Sequence, residues 1–324
     1  MTATQDRILV TGGAGFIGAN IAAALIRRPH TEVVVVDDFS SGDWRNLRPL
    51  DCELRAADSD DPVLLDEIAH GDFSAIYHEA AITDTTVMDQ RRMVEVNTNA
   101  FAKLLAATAA SSTRLIYASS AGVYGNAPAP NAIGKGEEPE NIYGFSKLAM
   151  DRIAKRWYAR HPSVIIGLRY FNVYGPGECH KNEREGNKTA SMMLQLYQQI
   201  RAGKQPRLFK HGEQRRDFVY IRDVVAANLA ALVAPRSGVC NVGSGRSRCF
   251  NDVVAALRVS MKVELEVEYF DNPFAFYQNH TEADLGHTRS LLQWQPKWEL
   301  EEGIADYIAW LDAGGRGPSL EEAS

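Results

Sequence analysis

No stretch of the chain approaches the ~18 consecutive apolar residues of a membrane span, and its opening residues have neither the basic start nor the apolar segment of a secretory leader. Both absences point to a cytoplasmic protein with no membrane partner. The four cysteines, Cys52, Cys179, Cys240 and Cys249, are scattered without paired metal-ligand spacing. That argues against a metal module and for reduced, packed thiols. Positive charge is in deficit: a net charge of -6 with no run of like charges argues against a general nucleic-acid binder and leaves room only for local basic pockets. No internal repeat is evident. What remains, 324 residues of which 45% are hydrophobic and 23% charged, suits a soluble globular protein with one large core or two smaller ones.

Glycine is placed with purpose. Residues 7–10 form a short apolar run that passes into TGGAGFIG at 11–18, after which residues 19–26 carry apolar side chains at helical spacing. This reads as strand, glycine turn, helix. Gly12, Gly15 and Gly18 would let backbone approach a pyrophosphate, while the helix N-terminus offers open N–H groups to the anion. Residues 32–36 form a second buried strand ending in Asp37 and Asp38, about 20 residues on, where a carboxylate can hold the adenosine ribose hydroxyls. The pattern predicts dinucleotide binding.

A third strand at 52–57 leads to Asp58, which would face the adenine. A fourth at 75–77 runs into His78, Glu79, Ala80 and Ala81. Ala80 and Ala81 are expected flat against the cofactor, and His78 with Glu79 as a buried hydrogen-bonded pair. Asn97 opens an alanine-rich helix through 110, either as its N-cap or as a holder of backbone near the catalytic loop. The fifth strand, 114–118, delivers SSAGVYG at 119–125, putting the Ser120 hydroxyl where it can hydrogen-bond a substrate oxygen. The loop 126–141, with three prolines, is expected to cover the site. Residues 164–169 are a sixth strand.

YGFSK at 143–147 places Tyr143 and Lys147 one helical turn apart on one face. Alone, that is an ordinary amphipathic pair. Near a cofactor, a lysine that lowers the tyrosine pKa from about 10 makes a base for an alcohol proton.

Together TGGAGFIG, SSAGVYG and YGFSK resemble the extended short-chain dehydrogenase/reductase superfamily, whose members mostly rework nucleotide sugars. RYFNVYGP at 169–176, ECHK at 178–181, RDFVY at 216–220 and YQ at 277–278 resemble, within it, the ADP-glyceromanno-heptose 6-epimerase family. The stretch that narrows the choice is ECHK. The resemblance implies an α/β fold, a doubly wound parallel (Rossmann) sheet with a smaller α/β substrate-binding domain. Residues 1–172 and 216–244 would form the first, 173–215 and 245–312 the second, and 313–324 a frayed tail. It makes Ser120, Tyr143 and Lys147 catalytic and Lys181 the second base that serves the opposite sugar face. Phe16, Ile17, Asn97 and Val173 would join the glycines, Asp37, Asp38, Asp58, Ala80, Ala81, Tyr143 and Lys147 around the cofactor. Thr83, Asn172, Phe209, Arg216 and Tyr277 would hold a nucleotide-diphosphate sugar. A homo-oligomer is expected.

Plainer roles stand beside these. Lys181 also reads as a phosphate-binding or surface lysine, and Arg216 as a partner of Asp217 or Asp223. The sequence departs from the family in a longer polar stretch at 182–188, so Lys188 competes with Lys181 as second base. The family uses NADP, whereas Asp37 and Asp38 would repel a 2'-phosphate and the nearby cations are Arg45 and Arg48, which favours NAD. Competing functions are a 4-epimerase or uronate epimerase, and a non-catalytic dinucleotide sensor. Intact Ser120, Tyr143 and Lys147 argue against the sensor.

Overall fold

The computed structural model describes residues 6–183, 189–271 and 280–320. Its centre is a parallel sheet. The strands β1 (Asp6–Thr11), β2 (Thr31–Asp37), β3 (Glu53–Ala56), β4 (Ala75–His78), β5 (Arg114–Ser120) and β6 (Ile165–Tyr170) are joined by Gly238–Val242 in the order Gly238–Val242, β6, β5, β4, β1, β2, β3. Helices cover both faces, so the strands are apolar on both. Along β1, Leu9 packs with Val34, Ile76, Phe101 and Leu115 on one face, while Ile8 and Val10 pack with Ile21, Val33, Val35 and Ile116 on the other. Helices Pro62–His70, Ala100–Ser111 and Ile142–Tyr158 cover the first face; Phe16–Ile26 and Ile221–Leu232 cover the second.

From β1 the chain runs outward to β2 and β3, then returns to place β4 on the other side of β1. The order reverses between β1 and β4. Crevices for ligands open at such a switch point, beyond the carboxyl ends of the strands. Those ends carry the glycine turn and residues 79–81.

Two small sheets lie outside the large one: Ser247–Cys249, Arg215–Tyr220 and Asn172–Tyr174 in that order, and Glu268–Phe270 beside Arg207–Phe209. Arg215–Tyr220 pairs with these short strands and, through Arg215, with His280, and it is not a strand of the large sheet. The chain therefore re-enters the large layer at helix Ile221–Leu232, five residues later than the expected 216. Asn97 does not cap a helix. Residues Gln90–Met93 are already helical and Val94–Asn99 continue them as a π-helical turn, so the helix began before the alanine-rich pattern did. The tail expected to fray is docked as far as it is described. Ser319 N–H donates to Asn20 Oδ1 at 3.0 Å and Arg316 pairs with Glu183, because the buried Asn20 amide presents its oxygen to the passing backbone. The four cysteines are free thiols.

Candidate active site

The glycine turn is shaped by close approach. Gly12 has φ +68°, and a Cβ there would lie 2.5 Å from the Ala80 amide nitrogen, so β1 and β4 can deliver their loops side by side only with glycine at this position. Gly15 precedes helix Phe16–Ile26, which no side chain caps, so its first N–H groups face the crevice. Gly18 packs the helix against the turn. Asp37, at the end of β2, accepts from Ala14 N–H at 2.9 Å and Phe39 N–H at 2.8 Å, so its carboxylate also holds the turn in shape. Asp38 is exposed and closes on Ser40. Asp58 is exposed just beyond β3. Arg45 is committed to Asp43 and Glu183. This cradle has the backbone donors and the carboxylate that a dinucleotide requires.

Ser120 ends β5 and accepts from Gly122 N–H at 3.0 Å. Helix Ile142–Tyr158, capped by Asn141 through Gly144 N–H at 2.8 Å, rests on that loop: a Cβ on Gly144 would stand 2.4 Å from the Gly122 carbonyl oxygen. The missing side chain brings the Tyr143 phenol to hydrogen-bond Ser120. Lys147 is buried, donates to the Ala118 carbonyl at 2.8 Å, and has its Nζ 5.9 Å from the Tyr143 ring centroid. The sequence places these three groups in two segments; the fold assembles them at one strand end.

Their electrostatics differ from expectation. Burial pushes the Tyr143 phenol up, against the Ser120 hydrogen bond that lowers it, and Glu79 adds to the rise. The lysine, aimed at Ala118, does not offset this. Burial also lowers Lys147 to about 8, while Glu79 and Asp151 act the other way.

His78 and Glu79 are not a bonded pair. Successive strand residues point to opposite sides: His78 Nδ1 lies 2.8 Å from Thr11 Oγ1 and its ring stacks on Phe101, whereas Glu79 accepts from the Tyr170 hydroxyl at 3.0 Å. Burial pushes His78 down to about 3, so it stays neutral, and pushes Glu79 up to about 7. Glu79 thus belongs to the site, and its position one residue before Ala80 was the available signal. Asn97 binds the Ile82 backbone at both ends of its amide, 2.8 and 3.0 Å, and donates to Ser146 Oγ at 3.0 Å, tying the loop after β4 to helix Ile142–Tyr158. Ala80 and Ala81 line the same edge, and Thr83 is exposed beyond them.

The covering loop is anchored by a buried ion network that the sequence did not reveal. Arg169 joins Glu137 of that loop, at 2.7 Å, to Asp151 of helix Ile142–Tyr158, at 2.8 Å, and Asp151 also accepts from Tyr117 and Ser119.

On the far side, Asn172 is exposed and Val173 pairs with Val219. Phe209 meets Phe270 edge-on at 5.8 Å. Arg216 is buried and donates to the Arg215 carbonyl at 2.9 Å. The carboxylates suggested as its partners serve other segments: Asp217 accepts from Ser244, Gly245 and Ala283, and Asp223 from Lys297 and Trp298. Lys181 lies in the short helical turn His180–Glu183, half-buried, its Nζ 5.2 Å from the Phe16 ring centroid. The structure sets it against the start of the dinucleotide helix. Tyr277 and Lys188 lie outside the described residues. Among the described residues no cluster of His, Cys, Asp and Glu could hold a metal, and no helix is long and apolar enough to cross a membrane.

A model of the NAD dependent epimerase/dehydratase family matches residues 8–243. The chain is 38% identical to an ADP-L-glycero-D-manno-heptose-6-epimerase of Cupriavidus pinatubonensis, across 94% of this chain and 98% of that one. Among solved structures, the Helicobacter pylori ADP-L-glycero-D-manno-heptose-6-epimerase superposes with a TM-score of 0.88 at 42% identity, covering 95% and 97% of the two chains. A UDP-N-acetylglucosamine 4-epimerase from Methanobrevibacter ruminantium follows at 0.86 and 26%, covering 96% and 99%.

Proposed function

The chain belongs to the NAD dependent epimerase/dehydratase family, and from that premise we propose that it is a nucleotide-sugar epimerase acting as an ADP-glycero-manno-heptose 6-epimerase. The observation that carries the choice of substrate is the 42% identity to the Helicobacter heptose epimerase across 95% of the chain, well above the 26% shared with the 4-epimerase. The likeness extends past the dinucleotide fold into the part that would meet the sugar.

In this reading Gly12, Gly15 and Gly18, with the open N–H groups of Phe16 and Ile17, receive the pyrophosphate, and Asp37 faces the adenosine ribose. A dinucleotide bound there would supply the hydride acceptor and donor for the carbinol carbon. The chain's own residues handle protons and position. Tyr143 exchanges the hydroxyl proton on one face of the carbinol carbon, Ser120 holds the sugar oxygen and the phenol together, and Lys147 keeps positive charge beside them. Lys181 serves the face that Tyr143 does not. Arg216, a rigid fork of donors, suits the diphosphate.

The acidic pair Asp37 and Asp38, with Arg45 committed to Asp43 and Glu183, favours NAD over NADP, since a 2'-phosphate would meet like charge with no loose cation close in sequence except Arg48. A cytoplasmic homo-oligomer completes the reading.

The test is to incubate the protein with ADP-heptoses and a panel of UDP-hexoses and to read the products by NMR. Inversion at C6 of the heptose is expected. Turnover confined to UDP-hexoses would move the chain to the 4-epimerases. Tyr143→Phe should lower turnover by roughly 10²–10⁴-fold with cofactor still bound, and full activity in that variant would refute the mechanism.

A further inference from the structure

The group that holds Lys181 is as well defined as any in the molecule, and it has no part in the chemistry described so far. Glu178 is 1% exposed. Its Oε2 accepts from Ser191 N–H at 2.6 Å, and its Oε1 accepts from Ser191 Oγ–H at 2.6 Å and from Gly175 N–H at 3.3 Å. Gly175 and Ser191 are the two feet of the loop that bears Lys181, so one carboxylate joins them. The Glu178 backbone carbonyl also accepts from Lys181 N–H at 3.0 Å, starting the turn that presents the lysine.

We propose that Glu178 is the positioning residue of Lys181: its carboxylate pins both ends of the loop and supplies the negative charge that the ammonium faces. The hydrogen bonds suit the ionised form. An ionised carboxylate accepts and donates nothing, and all three named partners are donors; the Ser191 hydroxyl in turn accepts from Leu194 N–H at the start of helix Met192–Arg201. Burial pushes Lys181 down and Glu178 is the charge that opposes it; burial likewise raises Glu178, opposed by the Ser191 donors and Lys181.

The opposite wall is the glycine turn. Asn20 Nδ2 bridges the Phe16 and Pro176 carbonyls, both at 2.9 Å. Asn46 Nδ2 donates to the Ala14 carbonyl at 3.0 Å and stands 3.2 Å from His180 Nδ1. Among the described residues, the other titratable and charged groups about this turn are Asp43, Arg45, Glu183 and Arg316, joined to one another, the Cys179 thiol, and the Tyr307 hydroxyl, which feels the Glu178 charge. None of these acts on Lys181 as Glu178 does. The lysine therefore stands on a turn that a fixed anion holds, its Nζ 5.2 Å from the first ring of the dinucleotide helix.

This inference rests on the epimerase reading for its purpose, but its test needs no substrate. Reductive ¹³C-methylation followed by NMR titration reads each lysine, with the Lys181 signal assigned by its loss in Lys181→Arg. In Glu178→Gln the Lys181 titration should move down by about one pH unit, while Glu178→Asp, which keeps the charge, stays near the parent. An unmoved Lys181 in Glu178→Gln, or an equal shift in Glu178→Asp, overturns the proposal. Should Glu178→Gln not fold, the reciprocal measurement decides. Lys181→Met should raise the Glu178 titration read by carboxyl ¹³C NMR, since coupling between two sites is mutual, and no change there is equally fatal. A parent protein that epimerises nothing would sink the functional reading and leave these titrations standing.

Discussion

Burial of the Lys147 ammonium, 1% exposed, pulls its pKa to about 8, and the carboxylates of Glu79 and Asp151 resist that fall. Lys147 therefore loses its charge as pH rises through about 8, and the alkaline limb of turnover should lie there. Glu79→Gln removes one of the two opposing charges, so the limb should move to lower pH by about one unit. A pH–rate profile with an unshifted limb would show that Glu79 is no more than a packed acceptor for Tyr170. The i, i+4 spacing of Tyr143 and Lys147 was legible in the sequence because helix geometry fixes which residues share a face. The direction of the Tyr143 shift was not, because it depends on burial and on Glu79, which arrives from another strand.

At the level of elements, helix Ile142–Tyr158 carries Tyr143, Lys147 and Asp151 on one face, the last binding Arg169 at 2.8 Å. Its position against the loop after β5 depends on Gly144. Gly144→Ala would put a methyl 2.4 Å from the Gly122 carbonyl oxygen, so helix and loop must separate. Denaturant unfolding should record a loss of about 1–3 kcal/mol, and kcat should fall as Tyr143 leaves Ser120. Unchanged stability with unchanged kcat would mean that the contact is slack. The strands were readable from apolar runs buried on both faces and the catalytic helix from its motif. The π-helical turn at Val94–Asn99 was not, since Asn97 there answers to Ile82 and Ser146, contacts that no local pattern encodes.

For the whole molecule, the switch in strand order between β1 and β4 puts the ends of four separate segments on one crevice, and ligand binding should therefore stabilise the fold as a unit. NAD at one hundred times its Kd should add about 2.7 kcal/mol to unfolding. On the proposed preference for NAD, NADP at the same concentration should add less, because two carboxylates at the end of β2 would repel an extra phosphate there. Thermal unfolding of the cofactor-stripped protein with each nucleotide measures this, and a larger rise with NADP would reverse the preference. By itself the sequence determined the glycine turn and the six leading strands, because each is written in local spacing and periodicity, whereas Ser120, Tyr143 and Lys147 were joined into one set only by the family resemblance. Only the tertiary structure decided that Glu79 shares a site with Lys147, that Arg169 fastens the covering loop, and that Glu178 closes the loop of Lys181. These are meetings of residues far apart in the chain, and burial rather than spacing gives them their charge states.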